Sequence, residues 1–371
     1  MKDQGLIIGI EYDKSVIQAC VYDMRAGIPV ACDEVSGLSI ADAIRRILGR
    51  YNVDEIDSLC VKSGLSDIEE LNEINDQINS LGINENQYII TGSIQSFAYY
   101  AYSQQKELYK SGVVLMDYDG QIINIYRLSY NTADGVQYIV SAHEQYTIDS
   151  QSGMSDKKLV EYVSDYFSRN TASSVYLTGK GFDVKKLPDG LSKVLVNGRK
   201  AYIGQNLYVR GACYAAYENI YHDIFDNVTL LVDGCIKVNI ETDINERGKA
   251  MRFRIIKMGT EWYMARRSVD FIIEDMTTLA LKLITADGKC TDKIIDISSI
   301  PYREGKTTRI RMDIYAVSQD KCILTIKDLG FGEMFRTSGR VITEEIDLSE
   351  ACNRVVTFTN YLLENDLVDL I

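Results

Sequence analysis

Hydrophobic and polar positions fall into the same order at two places in the chain. Leu6–Tyr22 (LIIGIEYDKSVIQACVY) reads as a strand, an acidic turn and a second strand. Gly112–Leu128 (GVVLMDYDGQIINIYRL) repeats that order. Glu11-Tyr12-Asp13-Lys14 in the first corresponds to Asp117-Tyr118-Asp119-Gly120 in the second. Two halves that open alike predict a duplicated, two-lobed α/β domain whose paired turns face one cleft.

The rest of each half supports this plan. After the first hairpin, Pro29–Val35 reads as a strand. Ser39 then caps a helix carrying Ile40, Ala43, Ile44, Ile47 and Leu48 at helical spacing. Ile56–Val61 is a short buried strand ending at Lys62-Ser63-Gly64. Ser66-Asp67-Ile68-Glu69 is a capping box before a helix with Ile68, Leu71, Ile74, Ile78 and Leu81 on one face. Tyr88–Thr91 is a strand and Ser93–Gln105 a helix of small and aromatic residues. The second half follows with strands at Val113–Asp117, Ile122–Ser129 and Gln137–Ala142, and a helix at Ser155–Phe167. A strand at Ser174–Thr178 then runs into Gly179-Lys180-Gly181, and the helix Asn206–Tyr221 follows. Strands that alternate with helices imply a parallel portion of sheet covered by helices.

From Val228 the pattern changes to short β-rich segments separated by turns such as Asp233-Gly234 and Asp287-Gly288. That spacing predicts a β-sandwich, closed by a helix over Ser349–Asp366. The expected divisions are a first lobe at 1–110, a second lobe at 111–224, a sandwich at 225–348 and a terminal helix at 349–371.

Composition narrows the function classes. The 371 residues carry a formal charge of −13, which argues against bulk binding to nucleic acid or to an anionic membrane. No apolar run reaches the ~18 residues of a membrane span. The first residues meet an acidic turn too soon for a signal peptide. Eight scattered cysteines without a CxxC pair, and only two histidines, predict reduced thiols in a cytoplasmic protein rather than a zinc site. The tract Arg247–Arg267 gathers seven basic residues around Trp262 and Tyr263. It reads either as a surface for an acidic partner or as strand alternation, with Met251, Phe253 and Ile255 inward and Arg252 and Arg254 outward.

These residues resemble the actin/Hsp70/sugar-kinase ATPases, a ribonuclease H-like fold, and Hsp70 in particular. Glu11, Asp13, Lys14 and Ser15 fall where that family's first phosphate loop lies. Asp117, Asp119 and Gly120 fall at the second, and Gly179 to Gly181 at the adenosine loop. Asp226–Asp233 (DNVTLLVD) is similar to the Hsp70 linker and the strand after it. The tract from Arg247 through Gly339 resembles an uncharacterised bacterial family. The resemblance implies ATP with Mg²⁺ held by Glu11 and Asp117, and a protein or peptide partner bound by the sandwich.

The departures point the other way. Asp13 and Asp119 stand where family members use glycine to bring backbone N–H groups to phosphate. Gln121 replaces an expected hydroxyl. The expectation is therefore an Hsp70-like binding or scaffold protein with a degenerate, non-hydrolysing cleft. An ATP-dependent chaperone-like ATPase and an actin-like filament protein are the alternatives.

Overall fold

The computed structural model describes residues 5–365 apart from 14–15, 32–34, 37, 65–67, 134, 149–154, 184, 186, 205, 224 and 226. The chain divides after Asp233 into two units, the first also taking residues from Leu362 onward. Val228–Leu231 therefore lies outside the second unit, although the sequence reading starts the sandwich at 225.

The first lobe of the first unit contains β1 (Leu6–Asp13), β2 (Val16–Asp23), β3 (Ile28–Ala31), β4 (Val35–Ser36), α1 (Ile40–Tyr51), β5 (Ile56–Lys62), α2 (Ile68–Asn79), β6 (Tyr88–Thr91) and α3 (Ser93–Tyr102). Its sheet runs β3-β2-β1-β5-β6, with β4 on β2. β1, β2 and β3 are antiparallel neighbours, and β5 and β6 extend the sheet in parallel. The second lobe contains β7 (Val113–Tyr118), β8 (Ile122–Ala133), β9 (Val136–Thr147), α4 (Ser155–Arg169), β10 (Ser174–Thr178), α5 (Leu191–Leu195), β11 (Lys200–Ile203), α6 (Leu207–Tyr221) and β12 (Val228–Leu231). Its sheet order, β11-β10-β7-β8-β9-β12, repeats the first with one strand added. β7–β8–β9 are antiparallel, while β10 and β11 are parallel to β7. The added β12 pairs in parallel with β9, so an otherwise open sheet edge is covered.

Local chemistry explains several elements. The Ser39 hydroxyl accepts from the Asp42 N–H to cap α1, and Asn52 ends it in the left-handed region. Ile40, Ala43, Ile44 and Ile47 are buried along its inner face. Ser66 and Asp67 of the Ser66–Glu69 capping box lie outside the described residues.

Two glycines set how closely the first lobe meets α6. A Cβ at Gly9, in the middle of β1, would lie 2.2 Å from the Cys213 backbone N. A Cβ at Gly211 would lie 1.8 Å from the Ser96 carbonyl oxygen on α3. The small residues of α6 therefore press its backbone onto both β1 and α3. Ala212, Ala215 and Ala216 pack with Ile7 and Cys60 in one buried cluster.

The second unit holds two four-stranded antiparallel sheets. One is β14-β13-β16-β17 and the other β15-β18-β19-β20. The strands are β13 (Val238–Glu246), β14 (Lys249–Ile256), β15 (Arg266–Ile273), β16 (Thr278–Thr285), β17 (Cys290–Asp296), β18 (Thr308–Ser318), β19 (Lys321–Asp328) and β20 (Val341–Asp347), with α7 (Ser349–Asn365) after them. β17 and β20 are charged and largely exposed. Along β14, Ile255 is buried, Phe253 half-buried and Met251 exposed, so inward packing fades toward the strand's start. Arg254 and Arg252 point outward and pair with Glu241 at 2.8 and 3.7 Å. A buried Arg303–Asp328 pair makes two parallel hydrogen bonds of 2.8 and 2.6 Å. The same carboxylate accepts the Gly330 and Ser338 N–H groups, at 3.0 and 2.7 Å, and so closes the loop after β19.

Gly211→Ala is expected to cost about 1–3 kcal/mol or more, because backbone rather than a movable side chain blocks the new methyl. Gly49→Ala in α1, where a Cβ meets nothing, should instead stabilise by about 0.5–1 kcal/mol. Denaturant unfolding of the two variants checks both signs.

Candidate functional site

The two hairpins and the start of α6 bring four polar side chains together. Glu11 and Lys62 are register partners on the parallel strands β1 and β5, so both emerge at the same sheet end. Lys62 Nζ lies 3.4 Å from Glu11 Oε1 and 4.9 Å from the centre of the Tyr208 ring. The Tyr208 hydroxyl donates to Asp117 Oδ2 at 2.9 Å. Glu11 also interacts with the Val209 N–H in the first turn of α6, although its Oε2 makes no hydrogen bond of normal geometry.

Burial pushes the Glu11 carboxyl up, and the Lys62 ammonium opposes that rise. Burial likewise pushes Asp117 up, against the Tyr208 hydrogen bond and Lys62. Burial, then the Asp117 charge, drives the Tyr208 phenol far above its usual range, so it stays a donor. One ammonium is thus shared by two carboxyls. Among the described residues, no group of three or more His, Cys, Asp or Glu is arranged to hold a metal ion. Glu11 and Asp117 share Lys62 as their nearby positive charge.

The second turn is closed on itself. Asp119 is exposed, and its Oδ1 accepts the Gln121 and Ile122 N–H groups at 2.8 and 2.7 Å. These bonds hold the Asp119 carboxyl below the usual range. They also occupy the Gln121 and Ile122 amides of the turn. Gly120 has φ +105° and open space around it, so it serves the turn's geometry.

Gly179 and Gly181 are covered by Tyr118. The Gly181 N–H donates to the Tyr118 carbonyl at 2.7 Å. A Cβ at Gly181 would lie 2.4 Å from the Tyr118 ring, and one at Gly179 would lie 2.3 Å from the Tyr118 carbonyl oxygen. The ring packs edge-on against Phe182 with centroids 5.5 Å apart. At the first turn, Asp13 is exposed, while Lys14 and Ser15 lie outside the described residues.

Sequence reasoning names Glu11 and Asp117 but misses Lys62, Tyr208 and Tyr118 as their companions. Lys62 leaves one signal: a lone charge ending an apolar strand parallel to β1. Tyr208 leaves none, since it sits in a helix whose small residues dominate the pattern.

Asp117→Asn removes a carboxyl whose folded-state pKa is raised. Such a group favours folding while protonated, and that contribution is lost as pH rises through the folded pKa. The stability of Asp117→Asn relative to the parent should therefore increase from pH 4 toward neutrality. Melting temperatures of both proteins across that window measure it.

Residues 33–233 match a family model described as "Family of unknown function (DUF5716) C-terminal", and residues 235–348 match "Domain of unknown function (DUF8552)". No curated protein sequence matches significantly. Among solved structures, the chain is similar to an inorganic polyphosphate/ATP-glucomannokinase from Arthrobacter sp. strain KM. The identity is 13%, with 59% of this chain and 100% of that one covered and a TM-score of 0.39. It is also similar to a Bacteroides thetaiotaomicron protein with an actin-like ATPase fold and unknown function, at 12% identity, 57% and 96% coverage and a TM-score of 0.34. A ROK hexokinase from Thermus thermophilus matches at 10% identity, 59% and 100% coverage and a TM-score of 0.37. The family model spans more than half of the 371 residues, and the chain belongs to the family of unknown function DUF5716.

Proposed function

We propose that this chain is a non-hydrolysing relative of the Hsp70/actin-like two-lobed proteins and works as a binding or scaffold protein. The observation that carries this reading is the Asp119 carboxylate bonded to the Gln121 and Ile122 amides. A side-chain carboxylate there is a tethered anion, held at high effective concentration. A nucleotide phosphate would have to displace it and meet its charge. The Tyr118 cover over Gly179 and Gly181 and the Tyr208–Asp117 bond support the same conclusion. The duplicated strand order supports the Hsp70/actin-like plan. The pairing of β12 along β9 fits the Hsp70-like reading of Asp226–Asp233 as a linker.

In this reading the second unit makes the partner contact. Its two sheets are taken as a β-sandwich, supported by the strict alternation of burial along β18 and by the edge-on contact of Phe253 on β14 with Phe271 on β15. The loop after β19 presents Phe331 and Met334 to solvent, 42% and 86% exposed, on a frame fixed by Asp328. A rigid loop that displays apolar side chains loses little entropy on binding, which suits a protein partner.

Thermal unfolding with millimolar ATP·Mg²⁺ tests the degenerate cleft. A ligand selective for the folded state raises stability by mass action. The expected result is an unchanged melting temperature and no phosphate release. A saturable upward shift, with phosphate release that Asp117→Ala abolishes, would establish the ATPase instead.

A further inference from the structure

A cavity of about 290 Å³ lies in the first unit and shares no lining residue with the Glu11–Lys62–Tyr208–Asp117 cluster. We propose that it binds a small planar aromatic anion. Its walls are aromatic: Tyr102 sits 4.9 Å from Tyr109 and 5.7 Å from Tyr130, ring centre to ring centre, and Phe225 joins them. Flat rings set at an angle to one another offer both faces and edges to an inserted ring.

The polar complement is one-sided. Lys106 and Lys110 line the cavity and no acidic residue does, in a chain whose formal charge is −13. Neither lysine has a carboxylate partner among the described residues, whereas many other surface cations here are paired. The Tyr109 and Tyr130 hydroxyls likewise have no hydrogen-bond partner within the described chain. Two lysines on the lining of a ring-walled cavity suit a ligand with one flat ring and one phosphate, sulfonate or carboxylate. A neutral aromatic would leave the ammonium groups without a counter-charge, and a bare inorganic anion would leave the rings unused. The volume, at the lower end for ligand cavities, limits the occupant to about one ring system with one charged group.

The position has a consequence. Phe225 lies between the end of α6 and β12, Val228 begins β12, and Ile139 and Gln137 on β9 line the same cavity. Val228 is the register partner of Gln137. A bound ligand would therefore bridge the two strands where β12 joins the sheet and slow their separation.

Calorimetric titration of the full chain with phenyl phosphate tests the site, with phenol and inorganic phosphate as controls. Phenyl phosphate should saturate at millimolar concentration or below, and each control should bind at least roughly tenfold more weakly. The double variant Lys106→Ala/Lys110→Ala, at two exposed positions, should lose roughly tenfold or more in affinity at an unchanged melting temperature. Tyr130→Phe, which keeps the ring and deletes only the hydroxyl, should weaken binding less. Ligand should also slow amide exchange across 228–231. AMP in the same titration separates a nucleotide from a simple aryl anion as the source, and binding of either that the double variant loses upholds the site. No saturable binding of either anion at millimolar concentration would overturn the proposal, as would binding that the double variant leaves unchanged.

Discussion

The close approach of α6 to the first lobe is the constraint on which the first unit depends. α6 follows the second lobe's strands in sequence, yet its backbone lies against β1 at Gly9 and against α3 at Gly211. Neither approach leaves room for a β-carbon. Its other end matters equally, because Tyr208, in the first turn, bonds to Asp117 on β7. One helix thus joins both sheets, and the start of that helix is fixed where the two hairpins end. The position of Tyr208 follows from packing several residues away.

That placement decides the chemistry of the cleft. Glu11 and Lys62 form an ion pair and Tyr208 bonds to Asp117 in a partly buried setting, where an unmatched charge is expensive. Asp119 then supplies an anion to its own turn, and Tyr118 fills the space beside the Gly179 loop. In both hairpins the acids near the strand ends are engaged within the chain: Glu11 by Lys62, Asp117 by Tyr208 and Asp119 by the amides of its own turn. A fold can hold such a cleft for its architecture alone, since function rests on the site and not on the scaffold.

The sequence is legible where local pattern and tertiary demand agree. The two acidic hairpins, the stripe of α1 and the parallel strands at Ile56 and Ser174 all follow from periodicity. β12 pairs with the free edge of β9, a partner distant in sequence that no local pattern names. At the site, Glu11 and Asp117 stand out as acids at strand ends. Their neutralisation by Lys62 and the cover by Tyr118 depend on strand register and on a glycine loop distant in sequence, which no local window contains. Met251 shows the same limit: alternation predicts its face, and the fading of the core at the strand's start leaves it 44% exposed.

Asp119 satisfies the Gln121 and Ile122 amides. NMR of these two amide resonances, as ATP·Mg²⁺ is titrated into the full chain, reads whether Asp119 keeps them. Both resonances should stay in place through millimolar nucleotide. A saturable shift of either amide, carried with Gly179 or Gly181, would show that phosphate displaces the carboxylate and would contradict this.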